Sequence, residues 1–151
     1  MNPELLRDTC VVLREFSTNA YAQNGAMAMT QCKNSAYQYL SSKGLFKAVE
    51  NASDKSCDSP VLFVDARLID LRIVSKAARF WGGAFSGRSH MKIFVEITDQ
   101  EGQSIAQKEL FGAPNAMGAA WSFGSSDTNL PYHMGRLLAD YVVSEAARIT
   151  N

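Results

Sequence analysis

VLFVDARLIDLRIVS, residues Val61 to Ser75, alternates apolar and polar side chains and then changes phase. Leu62, Val64, Ala66 and Leu68 are apolar, with Asp65 and Arg67 between them. Further on, Ile69, Leu71 and Ile73 are apolar, with Asp70 and Arg72 between them. Successive strand residues face opposite sides of a sheet, so a straight strand cannot carry this shift with one buried face. One extra residue near Leu68 and Ile69, a β-bulge, would bring both halves onto one face and bend the strand. Two strands meeting at a corner satisfy the same pattern.

Working outward, Met91, Ile93, Val95 and Ile97 alternate with Lys92, Phe94, Glu96 and Thr98, the cleanest strand pattern in the chain. DQEG then supplies a turn and QSIAQKELF a return strand, so residues 89–111 read as an antiparallel hairpin. TCVVLREF, Thr9 to Phe16, is rich in β-branched and aromatic residues and reads as a first strand. From Ala26 the period changes: Met29, Cys32, Ala36, Tyr39 and Leu40 recur at steps of three and four, and Gly44 stands where a helix would stop. LFKAVE, Leu45 to Glu50, reads as a short strand, and NASDKSCDSP as a polar loop closed by Pro60. Pro131 opens a last helix with Met134, Leu137, Leu138, Tyr141 and Val142 as its apolar stripe and Thr128 or Asn129 as its cap. The expected fold is therefore α+β, an α/β sandwich over one domain, residues 1–151. A single mixed, mostly antiparallel five-stranded sheet is covered by two helices in the order β-α-β-β-β-β-α.

The composition, 46% hydrophobic and 20% charged over 151 residues, is that of a globular chain with a sizeable core. Fifteen Lys and Arg balance fifteen Asp and Glu, so no overall field draws in nucleic acid or anionic lipid. MNPELLRDTC lacks the basic and apolar regions of a signal peptide, and the apolar runs are too short for a membrane span. The three cysteines, Cys10, Cys32 and Cys57, have no C-x-x-C spacing, and at most one pair of them can form. Cys10 in an apolar run and Cys32 on an apolar helix face are read as small buried hydrophobes, and Cys57 in its polar loop as the most reactive thiol.

RFWGGAFSGRSHM, Arg79 to Met91, fits no chemical motif. A phosphate loop needs a helix directly after its glycines, and here a strand follows. Ser86 is fourth in GAFSG, whereas the hydrolase elbow puts its serine third. His90 and His133 belong to no metal-ligand cluster, so neither a metal nor any other cofactor is expected. Asp65, Asp70, Asp99 and Glu96 read as solvated strand carboxylates. Arg79, Phe80, Trp81, Phe85 and Arg88 combine guanidinium forks with aromatic surface, the residue types enriched where proteins bind each other. In the competing reading Phe80 and Trp81 fold back over the sheet's end. Trp121 and Phe123 in a later loop raise the same choice.

Three stretches carry a resemblance: AYQYLSSKGLFKAVENAS, the long run from Val61 through EITDQEGQSIAQKEL, and the closing helix. Their GLF-x-x-V and V-x-I-x-D-x-x-G patterns resemble a bacterial domain family of unknown function found largely in envelope lipoproteins. The resemblance covers roughly residues 30–150. It implies a fold like the amino-terminal domain of TolB and the lipoprotein activators of peptidoglycan synthases, itself similar to anticodon-binding domains. It also implies a periplasmic or outer-membrane-associated location and a role without catalysis. Cys10, inside an apolar strand, is not placed for acylation, so membrane contact is expected only through a lipid anchor outside this chain. The expected partner is another envelope protein or a second copy, and not nucleic acid. The alternative is a small hydrolase or ligand-binding protein using the Arg79 to Arg88 loop, with Ser86 or Cys57 as nucleophile.

Overall fold

The computed structural model describes residues 6–18, 25–51, 57, 60–72, 90–112 and 130–150. In chain order the elements are β1 Cys10–Ser17, α1 Gly25–Lys43, β2 Ala48–Asn51, β3 Val61–Arg72, β4 His90–Thr98, β5 Ser104–Gly112 and α2 Leu130–Thr150. The strands form one mixed sheet in the order β2-β1-β3-β4-β5. β1 pairs in parallel with both β2 and β3, while the longer β3–β4 and β4–β5 ladders are antiparallel. This is the expected architecture and element order.

The phase change in β3 is a bulge, and the corner is excluded. Leu68 opposes Ile93 and Asp70 opposes Lys92, leaving Ile69 as the extra residue. Leu71 then opposes Met91 and packs against the same core as Leu68. Both helices lie on that one side of the sheet. Val11, Leu13, Val64, Ala66, Leu68, Met91, Ile93, Val95 and Ile97 form a single cluster with Met29, Cys32, Ala36 and Leu40 of α1 and Met134, Leu138 and Val142 of α2. Gly44, at a φ of 62°, ends α1 in the left-handed conformation that glycine adopts without a Cβ penalty.

One boundary and one helix face differ from expectation. β2 begins at Ala48 and not at Leu45, because Phe46 is buried in the core and pairing starts only where the Lys47 amide donates to the Thr9 carbonyl at 2.9 Å. In α2 the buried line steps by four, through Leu130, Met134, Leu138, Val142 and Ala146, whereas Leu137 is 36% exposed. Residues one position apart on a helix are about 100° apart, so Leu137 and Leu138 cannot share the centre of one stripe.

The cysteine reading is corrected more deeply. Cys10 and Cys57 form a disulfide, so Cys10 is no free hydrophobe and Cys57 no reactive thiol. β2 and β3 flank β1 and run parallel to it, and Cys57 lies in the connection between them. The Cys10 side chain points away from the helices and meets Cys57 of that connection, beside Val12, Val61 and Phe63. Cys32 is the free cysteine among the described residues, and burial pushes its thiol up to about 12, where it is inert.

Candidate functional site: the helix-free face of the sheet

Among the described residues, no helix packs on the second face of the sheet. The same alternation that buries Val64, Ala66, Ile93 and Val95 turns Phe63, Asp65, Arg67, Lys92, Phe94 and Glu96 outward. Register then sets them in rows. Asp65 stands opposite Glu96, and Glu96 opposite Gln107; Arg67 stands opposite Phe94, and Phe94 opposite Glu109. A third row joins Asp70, Lys92 and Phe111.

Two arginine–aromatic pairs dominate this face. The Arg14 guanidinium lies 4.6 Å from the Phe63 ring centroid, and that of Arg67 lies 5.5 Å from Phe94. Arg14 also donates twice to the Asp65 carboxylate, through Nε at 3.1 Å and Nη2 at 2.6 Å. Asp65 further accepts the Glu15 amide at 3.0 Å. The side-chain hydrogen bond between Arg14 and Asp65 raises the Arg14 pKa against the opposing effect of burial. Asp65 and Glu96 are like charges directly opposite one another, an arrangement that costs stability unless neutralised, and Arg14 neutralises it. Lys33 of α1 reaches this edge too, its Nζ donating to the Arg14 carbonyl at 2.7 Å. Arg67 makes no ion pair among the described residues, so its fork faces outward over an aromatic ring. A shallow cavity of about 210 Å³ lies between Glu15, Asp65, Arg67, Phe94 and Glu96.

At the far end of the face, His90 Nε2 is 2.8 Å from Asp70 Oδ2, and its ring stacks 6.1 Å from that of Phe111, which is 53% exposed. The hydrogen bond from His90 lowers the Asp70 pKa. Each carboxylate read from the sequence thus has a local role. Asp65 holds Arg14, Asp70 holds His90, and Asp99 accepts the Glu101 and Gln103 amides of the β4–β5 turn at 2.9 Å. Glu96 accepts the Ser104 hydroxyl at 3.3 Å. No group of three or more His, Cys, Asp or Glu among the described residues is placed to hold a metal ion.

The candidate residues Arg79, Phe80, Trp81, Phe85 and Arg88, together with Ser86, Trp121 and Phe123, lie outside the described residues. The structure adds Arg14, Phe63, Arg67 and Phe94, which sequence reasoning did not single out. A signal for one of them was present: Phe94 is the only aromatic on the polar side of an otherwise regular alternation from Lys92 to Thr98.

Residues 13–119 match the family model described as Domain of unknown function (DUF4410). The chain belongs to this family. Curated proteins give no match to the DUF4410 chain. Among solved structures it is similar to two PelC dodecamers from Paraburkholderia phytofirmans. One is 15% identical, with a TM-score of 0.49, covering 85% of this chain and 82% of that one. The other is 13% identical, with a TM-score of 0.45, covering 83% of each chain. An uncharacterized protein is also similar, at 17% identity and a TM-score of 0.43, covering 96% of this chain and 92% of that one.

Proposed function

We propose that this DUF4410 chain is a non-catalytic protein-binding domain of the bacterial cell envelope, with a fold of the TolB amino-terminal kind, and that it engages its partner through the helix-free face of the sheet. The observation that carries this reading is the pair of guanidinium–aromatic stacks, Arg14 on Phe63 and Arg67 on Phe94, on a face that no described helix covers. Arginine and aromatic residues dominate the energetics of protein interfaces, because they bring large contact area and directional donors at low conformational cost. The Cys10–Cys57 disulfide supports an oxidising compartment such as the periplasm, since such bonds seldom persist in a reducing cytosol. Arg79 to Arg88 belong to the connection between Arg72 and His90, whose flanking strands both contribute to this face, and the proposal assigns them to the same interaction.

Photo-crosslinking residues placed at Phe94 and, separately, at Leu137 on the exposed side of α2 test the proposal in bacterial cells. The expected result is a discrete adduct from position 94 that is lost in an Arg67→Ala background, with no adduct from position 137. Equal adducts from both positions, or an adduct at 94 indifferent to Arg67, would rule out this face. Fractionation of the same cells checks the compartment.

A further inference from the structure

A second concavity lies on the helix side of the sheet, at the end remote from His90, and nothing in the sheet-face reading uses it. Its volume is about 370 Å³, within the range of small-molecule sites. Two features of the sequence open it. The buried line of α2 runs through Leu130, Met134, Leu138 and Val142 and then drops to Ala146, so the helix loses side-chain volume just as it reaches this end. In the hairpin the register jumps, with Ile97 opposite Ala106 and Thr98 opposite Ser104, so that Ile105 is the extra residue of a bulge and lines the cavity. Leu62, Ile105, Ala146 and Ile149 give it an apolar wall.

Among the described residues, the charges of its lining have one sign. Asp99 and Glu101 of the β4–β5 turn are the charged residues there, and no described basic residue joins them. Ala146 and Ile149 belong to the end of α2, where the helix dipole presents its negative pole. Arg148 of that last turn is held by Glu145 of the same helix at 2.9 Å and does not line the cavity. Asp99 is fixed by the two turn amides it accepts, so its charge stays at the rim.

We propose that this cavity binds a small amphiphilic cation, with an aromatic or branched aliphatic body against Leu62, Ile105, Ala146 and Ile149 and an ammonium group at the rim beside Glu101 and Asp99. The apolar wall accounts for the body and the one-signed rim for the charge. A neutral ligand of the same shape uses only the first, and an anion is repelled by the second.

The test is an amide-detected NMR titration of the full chain with three probes that share one body: 2-phenylethylammonium, 2-phenylethanol and 3-phenylpropionate. The expected result is saturable shifts confined to residues 99–106 and 145–150, with the ammonium tightest and the carboxylate weakest. Glu101→Gln should weaken the ammonium about two- to fivefold, the scale of one exposed charge interaction, and leave the alcohol unchanged. Ala146→Leu should weaken all three by filling the cavity. If that variant fails to fold, Ile149→Lys, at a position already 39% exposed, should instead favour the carboxylate over the ammonium. The proposal is overturned if the carboxylate binds wild type as tightly as the ammonium, or if no probe saturates. A Phe-Lys dipeptide amide binding tenfold tighter than 2-phenylethylammonium would also overturn it, by making the occupant a protein segment.

Discussion

At the scale of single residues, the two members of an ion pair need not be equally important. Arg14 and Asp65 share a two-point contact that is partly buried, with side-chain exposures of 36% and 26%. Removing the arginine leaves Asp65 directly opposite Glu96 without its two-point counter-charge, whereas removing the aspartate charge also removes that repulsion. Arg14→Gln is therefore expected to cost about 2 kcal/mol and Asp65→Asn about 1 kcal/mol in urea denaturation, discounted for partial exposure. Equal costs would mean that Glu96 does not feel Asp65. His133, in the first turn of α2, gives a pH dependence. Burial, and then the nearby Arg136 charge, lower its pKa below the ordinary 6.5. A group depressed in the folded state binds its proton more readily when unfolded, so its contribution is present above pH 6.5 and is lost as pH falls through the folded value. Stability should decline in the acid window just below pH 6.5, and His133→Gln should flatten that part of the profile. A wild-type profile that rises on acidification through this window would contradict the sign.

At the scale of elements, the contact between α1 and α2 depends on one glycine. A Cβ on Gly135 would run into the Cys32 carbonyl oxygen and stand 2.7 Å from the Ser35 Cβ, and both obstacles belong to the facing helix. Around it the helices are tied by Ser35 Oγ donating to the Tyr132 carbonyl at 2.6 Å and Tyr39 donating to Asp140 at 2.8 Å. Alanine in place of a mid-helix glycine gains about 1 kcal/mol of helix propensity, but overpacking against a rigid backbone costs about 1 to 3 kcal/mol and also strains these bonds. Gly135→Ala should therefore lower the unfolding free energy by up to about 2 kcal/mol net, and a stabilised variant would show that the helices can separate freely. This approach was not legible in the sequence, because it depends on which residues of α1 face Gly135. The bulge at Ile69 was legible, because a phase change in a period-two pattern is a local fact that any sheet must accommodate. The start of β2 was misread since Leu45 and Phe46 suit a strand by propensity, while core burial governs Phe46. Phe94 was visible as an aromatic on the polar side, but its pairing with Arg67 needed the register between β3 and β4.

At the scale of the whole molecule, the disulfide links strand order to chemistry. Its two cysteines are 47 residues apart, and their meeting follows from β1 lying between β2 and β3, an order no local pattern reveals. Closing a loop of that length restricts the unfolded chain by about 4 kcal/mol, a large share of the roughly 5 to 15 kcal/mol by which domains are stable. The bond also joins the half-buried Cys57 to the fully buried Cys10, so a reductant reaches it from the Cys57 side. Cys32, with its pKa near 12 inside the core, cannot compete by exchange in the native state. Protein folded under oxidising conditions should consequently show no alkylatable thiol when native, one when unfolded without reductant, and three when unfolded and reduced. Reduction should lower stability by about 3 to 4 kcal/mol, and Cys10→Ala/Cys57→Ala should reproduce that loss without reductant, because the constraint acts through the unfolded chain. Three thiols in the non-reduced unfolded protein, or an unfolding midpoint unmoved by reductant, would show that the placing of β1 between β2 and β3 does not hold Cys10 and Cys57 in a stabilising bond.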